Sequence, residues 1–377
     1  PVVLLHGVGL TSRYLVPLGR RLAALGYRVL APDLPGFGRS PKPRGAGWPG
    51  APDVREQTEQ LRAWLDACGV ERAVLFGNSV GVQVAVEFAA RFPERVERLL
   101  LEGPTPDPRY RTPLRQYSRV LLNMPFEAPS ANALYQVEYL STGIPRMAQH
   151  LVRTVDDPIE LRLPDVPVPA LVVRGRHDKT LSQPWAEEFT RLLPNGRLVV
   201  VEGAAHNAHC SSPELMARLT DVFLRGDLDG MTPRPTHPVD VVADDRGPLP
   251  RRRLSPLSHA AMDYASAASL IAVPRALHWG PRTRGLLTTF GILGLADSMM
   301  TDYPGGLVQR IPLPVHLNLE ASGGLQLVLA SLTILRGEPA AGRWAVAAQG
   351  LLEVLRSSLT RVSAGPARVV AVPRTSD

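Results

Sequence analysis

The feature of this 377-residue chain most able to do chemistry is Gly77-Asn78-Ser79-Val80-Gly81. It follows an apolar run, Ala73–Phe76, that reads as a buried strand, and it opens a helical pattern, Val80–Phe92. A strand-to-helix turn this tight strains the serine backbone and needs small neighbours, and it leaves Oγ exposed at the carboxyl edge of a sheet. The helix N-terminus then favours negative charge developing nearby. A serine hydroxyl attacks poorly until a base takes its proton and an acid orients that base, so the chain must supply both.

Two later loops do so. Arg174-Gly175-Arg176-His177-Asp178 follows the apolar run Ala170–Val173, and Gly203-Ala204-Ala205-His206 follows Leu198–Val201. Both loops fall at strand carboxyl ends in the order serine, acid, histidine, which assigns Asp178 as orienting acid and His206 as general base. His177 and His209 compete for the base, the first as a loop packing residue and the second as a rim residue; Glu102, just past Leu99–Leu101, is the alternative acid. An oxyanion hole needs two donors. The N–H of Val80 is one, and the N–H of Val8, in the loop His6-Gly7-Val8-Gly9 after the strand Val2–Leu5, is the other. His6 reads as a structural turn of that loop. Asp33, opening Asp33-Leu34-Pro35-Gly36-Phe37-Gly38-Arg39-Ser40, reads as a carboxylate that hydrogen-bonds loop backbone.

The elements that must carry these residues alternate. Val2–Leu5, Arg28–Ala31, Ala73–Phe76 and Leu99–Leu101 read as strands, with helices over Leu15–Leu25, Val54–Cys68 and Val80–Phe92 between them. That is the rhythm of a parallel sheet. From about 104 to 167 it gives way to a proline-rich, mainly helical insertion, and a last helix runs from Pro213 to about Leu224 and stops at Gly226. The length suggests two units. With 45% hydrophobic and 20% charged residues the chain is not disordered. Its net charge of +7 is carried almost wholly by arginine, and the one tight basic run is Arg251-Arg252-Arg253, so no nucleic-acid partner is expected. Cys68 and Cys210 are too few for a disulfide framework or a zinc cluster. No signal peptide is visible before Val2.

Residues 227–256 read as a linker. Four apolar segments follow, Leu257–Leu277, Arg284–Met300, Val315–Leu335 and Gly342–Leu355, each 14 to 21 residues long. These lengths favour a short-helix membrane bundle over a soluble four-helix bundle. Asp263, Asp297, Glu320 and Glu353 would then face its interior. His259/Asp263 and His316/Glu320 form two i, i+4 pairs, so two adjacent helices could offer two nitrogens and two carboxylates to a metal. The favoured reading is plainer: the pairs hydrogen-bond to hold the bundle together, and no metal or cofactor is assigned.

Taken together, His6-Gly7, Asp33–Ser40, Gly77–Gly81, Gly175–Asp178 and Gly203–His206 resemble the α/β-hydrolase superfamily, in its single-chain esterase and cofactor-free carbon–carbon hydrolase branch, over about residues 1–225. The resemblance implies a doubly wound, mostly parallel sheet, a helical cap from the 104–167 insertion and a Ser79–Asp178–His206 triad. Two departures are visible: relatives carry one or two strands before the His-Gly strand, and many have a glycine where Val82 stands. The tail resembles small four-helix bacterial membrane proteins of the SPW-repeat type through His259–Asp263-Tyr264, Thr301–Gly305 and Ile311–His316 leading to Glu320. It departs from them at Glu320, where they carry aspartate, and at Ala330-Ser331-Leu332.

The expectation is thus an α/β-hydrolase domain over 1–226, a linker over 227–256, an all-α four-helix, membrane-embedded domain over 257–360 and a disordered tail over 361–377. The activity expected is serine hydrolysis of a small apolar ester or activated ketone. Diketone carbon–carbon hydrolysis with the same triad, or a non-catalytic membrane-attached sensing module, are the alternatives. A lipid bilayer is the partner expected of the tail, and the arginine triplet would place the hydrolase on the cytoplasmic side.

Overall fold

The strand that leads into Ser79 lies third in the order of a seven-stranded sheet, with neighbours on both sides. The structure, a computed structural model, describes residues 1–41, 51–226, 254–360 and 369–372. The chain divides into two compact units, one bearing the sheet and one bearing four long helices.

In the first unit β1 (Val2–Leu5), α1 (Val16–Ala24), β2 (Val29–Leu30), α2 (Val54–Ala67), β3 (Ala73–Asn78), α3 (Val80–Arg91) and β4 (Val96–Glu102) follow the alternation read from the sequence. Three helices, α4 (Pro113–Asn123), α5 (Pro129–Thr142) and α6 (Ile144–Val155), occupy the insertion between β4 and β5 (Ala170–Gly175). Then come α7 (Gln183–Leu192), β6 (Gly196–Val201), α8 (Ala208–Ser211) and α9 (Pro213–Arg225), the last closed by Gly226 in the left-handed region at φ 81°.

Six strands run parallel in the order β2-β1-β3-β4-β5-β6. All of β1, β3 and β5 is buried, as a parallel sheet covered on both faces requires. Val3, Leu5, Leu75, Leu99 and Val172 pack with Val84 and Phe88 of α3 in one apolar core. Carboxyl ends of β3, β5 and β6 therefore bring the three predicted chemical loops to one edge.

Within the stretch read as a disordered tail, Val369–Val372 forms a strand, β9, that pairs antiparallel with Leu198–Val201 of β6 and completes that edge of the sheet. Three valines in four residues are too short a run to stand out in a sequence; the open edge of β6 supplies what the segment lacks. Residues 227–253 of the linker, the arginine triplet among them, and the rest of the tail lie outside the described residues.

The second unit contains α10 (Pro256–Ala276), α11 (Pro281–Met300), α12 (Leu313–Leu332) and α13 (Ala340–Leu359), with a two-stranded parallel ladder, β7 (Thr301–Asp302) and β8 (Ile311–Pro312), before α12. Among the described residues no helix is long and apolar enough to cross a membrane. This corrects the expectation of transmembrane helices and removes the ground for a bilayer partner. Charge is the reason: α11 carries Arg282, Arg284 and Asp297, α13 carries Arg343, Glu353 and Arg356, and α12 is interrupted by His316, Asn318, Glu320 and Gln326.

Candidate active site

Ser79 sits between β3 and α3 with φ 55° and ψ −117°, a conformation costly for any residue with a side chain. Its neighbours allow it. A Cβ on Gly77 would lie 2.6 Å from the Gly81 carbonyl oxygen, and one on Gly81 would lie 2.4 Å from that of Leu5, so both must be glycine. The Ser79 N–H donates to Glu102 O at 2.9 Å, which fixes the turn against the end of β4.

Across the same edge, His206 Nδ1 lies 2.8 Å from Asp178 Oδ2. The other carboxylate oxygen, Oδ1, accepts from the N–H groups of Thr180 at 2.6 Å and Leu181 at 2.9 Å. Burial favours the neutral acid, yet His206 and these two N–H groups outweigh it and hold the Asp178 carboxyl below its usual range. For His206 burial likewise favours the neutral ring, and Asp178 outweighs it, so its pKa stands above 6.5. With Nδ1–H held by a carboxylate, Nε2 is left to accept a proton.

The Ser79 hydroxyl is paired with Thr105 Oγ1 at 3.3 Å and makes no hydrogen bond to His206. Such bonds are often long or unaligned until substrate binds. The imidazole has been given room: Gly103, at φ 61°, has no Cβ, and one placed there would stand 2.6 Å from His206 Cε1.

The alternative acid, Glu102, turns elsewhere. Its Oε2 accepts from Asn78 Nδ2 at 2.9 Å and meets His209 Nδ1 at 2.5 Å, while Oε1 accepts from the His209 N–H at 2.9 Å. Glu102 and His209 thus form a second buried acid–imidazole pair. It is linked through Asn78 Oδ1 to the Tyr14 hydroxyl at 2.7 Å, and that hydroxyl accepts from the Gly7 N–H at 2.8 Å. This network locks the first loop onto the serine turn, where a Gly7 Cβ would be 3.3 Å from Ser79 Cβ. Because the Gly7 N–H is engaged, Val8 is the next donor in that loop. Val80 is the first residue of α3, where a backbone N–H has no partner within the helix.

His6 is structural: Nε2 accepts from the Leu34 N–H at 2.8 Å and burial lowers its pKa to about 4. Asp33 accepts from the N–H groups of Ser12 and Arg39, at 2.7 and 2.9 Å, in the backbone-holding part read for it. His177 stacks on Phe126.

Motif reading missed Gly103, Thr105 and the cap carboxylates. Glu138 of α5 accepts from both the N–H and the hydroxyl of Thr11, at 2.8 and 2.6 Å, tying the cap to the first loop. Glu127 accepts from the Asn207 N–H at 3.1 Å, next to His206, and burial pushes it up to about 7. Neither carries a local sequence signal, since each gains meaning only from a partner more than 75 residues away.

A model of the alpha/beta hydrolase family matches residues 2–219. The chain is 30% identical, over 59% of its length and 86% of the relative's, to a 2-hydroxy-6-oxononadienedioate/2-hydroxy-6-oxononatrienedioate hydrolase of Burkholderia vietnamiensis. It is 26% identical, over 55% of its length and 71% of the relative's, to Lipase 1 of Psychrobacter immobilis. A solved thermophilic esterase from Thermogutta terrifontis shares the fold with a TM-score of 0.53 at 24% identity, over 60% of this chain and 89% of that one.

Proposed function

Because the chain belongs to the alpha/beta hydrolase family, we propose that it is a serine hydrolase in which Ser79 attacks an ester or activated carbonyl. The observation that carries this reading is the buried Asp178–His206 pair at 2.8 Å, set at the same sheet edge as a serine in strained backbone. Ser79 Oγ bonds to the carbonyl carbon as its proton passes to His206 Nε2, and Asp178 steadies the imidazolium. The N–H groups of Val8 and Val80 receive the oxyanion. His206 then returns the proton to the leaving alcohol, and water, deprotonated by His206 in turn, releases the acid and restores Ser79.

A second reading is supported by the name of the Burkholderia vietnamiensis relative: cleavage of a carbon–carbon bond beside a ketone, with the same residues. The two are separated by assaying full-length protein on p-nitrophenyl esters from acetate to decanoate and on 2-hydroxy-6-oxononadienedioate. Ester turnover that falls by about 10⁴-fold or more in Ser79→Ala supports the first reading. Turnover of the dienedioate alone transfers support to the second, and inertness of a folded chain on both, with no labelling by a fluorophosphonate, overturns serine catalysis.

A further inference from the structure

The second unit buries a constellation that the hydrolase reading does not use. Two of its four helices each present a histidine and a carboxylate one turn apart: His259 and Asp263 on α10, His316 and Glu320 on α12. One ligand atom from each lies within 4.8 Å of all the others. His259 Nε2 is 3.2 Å from His316 Nε2 and 3.1 Å from Glu320 Oε2, and His316 Nε2 is 3.0 Å from Asp263 Oδ2. A tetrahedral ion with bonds of about 2.0–2.1 Å spaces its ligands about 3.3–3.4 Å apart. Three of the six pairs already stand at nearly that spacing, and all lie within 4.8 Å.

Hydrogen bonding shows which atoms face inward. Thr360 Oγ1 gives its only proton to Arg356 O at 2.8 Å, so at 2.6 Å from His259 Nδ1 it must accept. The His259 proton is therefore on Nδ1, and Nε2 presents a lone pair to the centre. His316 Nδ1 lies 2.9 Å from Asp297 Oδ2 of α11, outside hydrogen-bond geometry but beside a carboxylate of the kind that orients metal-bound histidines. Glu320 Oε2, buried, receives no hydrogen bond. His259 Nε2, His316 Nε2, Glu320 Oε2 and Asp263 Oδ2 thus converge on one centre, where the Tyr303 hydroxyl reaches Asp263 Oδ2 alone, and two imidazoles and two carboxylates this close cost free energy unless a proton or a cation sits among them.

Charge points the same way. Asp263, Glu320 and Glu353 gather around one guanidinium, Arg356, which contacts Asp263 Oδ1 at 3.0 Å, Glu320 Oε1 and Glu353, while Asp297 stands against His316. Arg356 thus holds one oxygen of Asp263 and one of Glu320 and leaves the other of each for the centre. Tyr303 donates to Asp263 Oδ2 at 2.8 Å.

We propose that His259, Asp263, His316 and Glu320 bind one divalent transition-metal ion, zinc by preference, in a structural site that clamps α10 to α12. Two imidazoles with two carboxylates suit zinc, and four protein ligands whose side chains are 0%, 3%, 3% and 5% exposed leave no open position for substrate. The hydrogen-bonded bundle anchor favoured by the sequence pattern accounts for the i, i+4 spacing, but not for two inward-facing Nε2 atoms.

The test uses full-length, tag-free protein, stripped with a chelator and titrated with Zn²⁺ against a chromophoric competitor. We expect one equivalent per chain and at least about a hundredfold weaker binding in H259Q/H316Q, and about tenfold to hundredfold weaker binding in Asp297→Ala. Fluorophosphonate labelling of Ser79 and circular dichroism report whether these variants fold. Should the double variant fail to fold, Co²⁺ loaded into the wild-type chain decides: intense tetrahedral visible bands support the site, and a weak octahedral spectrum or none overturns it. Zinc uptake equal in wild type and double variant, or a stripped chain that melts as before and takes up no ion, also overturns it, leaving a protonated His316 as the counter-charge.

Discussion

Gly103 sets how closely the imidazole of His206 can approach the serine turn. A methyl group there would stand 2.6 Å from His206 Cε1 on backbone at φ 61°, so Gly103→Ala should push the ring away and lower kcat by about 10²-fold while KM changes little. Steady-state kinetics on whichever substrate the chain turns over reads this directly. The pH profile offers a second check. Burial favours neutral His206 and Asp178 more than reverses that, so the base becomes competent only as pH rises through a value above 6.5. Asp178→Asn should move this acid limb to lower pH and cut kcat by about 10⁴-fold. Glu127, pushed up to about 7 by burial, titrates in the same range and its charge helps raise His206; Glu127→Gln retains an acceptor for the Asn207 N–H and should move the His206 limb to lower pH, by less than Asp178→Asn does. Ser79, Asp178 and His206 were legible because each stands in a loop after an apolar run. Gly103 and Thr105 also follow a strand, but their part depends on what the fold lays over them, and no spacing records that.

Among the elements, α5 is joined to the first loop through the Glu138 carboxylate and through the Thr142 hydroxyl, which donates to Gly9 O at 3.0 Å. Glu138→Ala would leave the buried Thr11 N–H without its acceptor, and urea denaturation should show a loss of about 1–3 kcal/mol. If the first loop supplies an oxyanion donor, kcat falls with it, whereas Glu138→Gln, which keeps an acceptor for that N–H, should recover most of both. The sheet elements were readable from short apolar runs bounded by glycine, and α9 from its Gly226 stop. The four long helices were readable as helices and misread as membrane spans, because their polarity is turned inward. His259 and Asp263 are buried while Ile292, Leu293, Leu352 and Leu355 are exposed, so counting apolar residues along the chain could not tell which face they occupied.

At the scale of the whole molecule, the sheet is discontinuous in sequence. Six of its strands lie before Gly226, and the seventh, β9, follows the four-helix unit and covers the outer edge of β6. Ending the chain before residue 365 should expose the backbone of Leu198–Val201, and soluble yield and unfolding midpoint should both fall relative to the full chain. The relatives align with only part of the chain, so neither they nor the family motifs announced that a later segment would return to the sheet. The same topology governs what a protease can achieve. A single cut between Gly226 and Leu254 would part the backbone once, yet the four-helix unit would stay joined to β9, and β9 to β6 by its ladder. Such a nicked protein would run as two pieces on a denaturing gel and as one particle in solution.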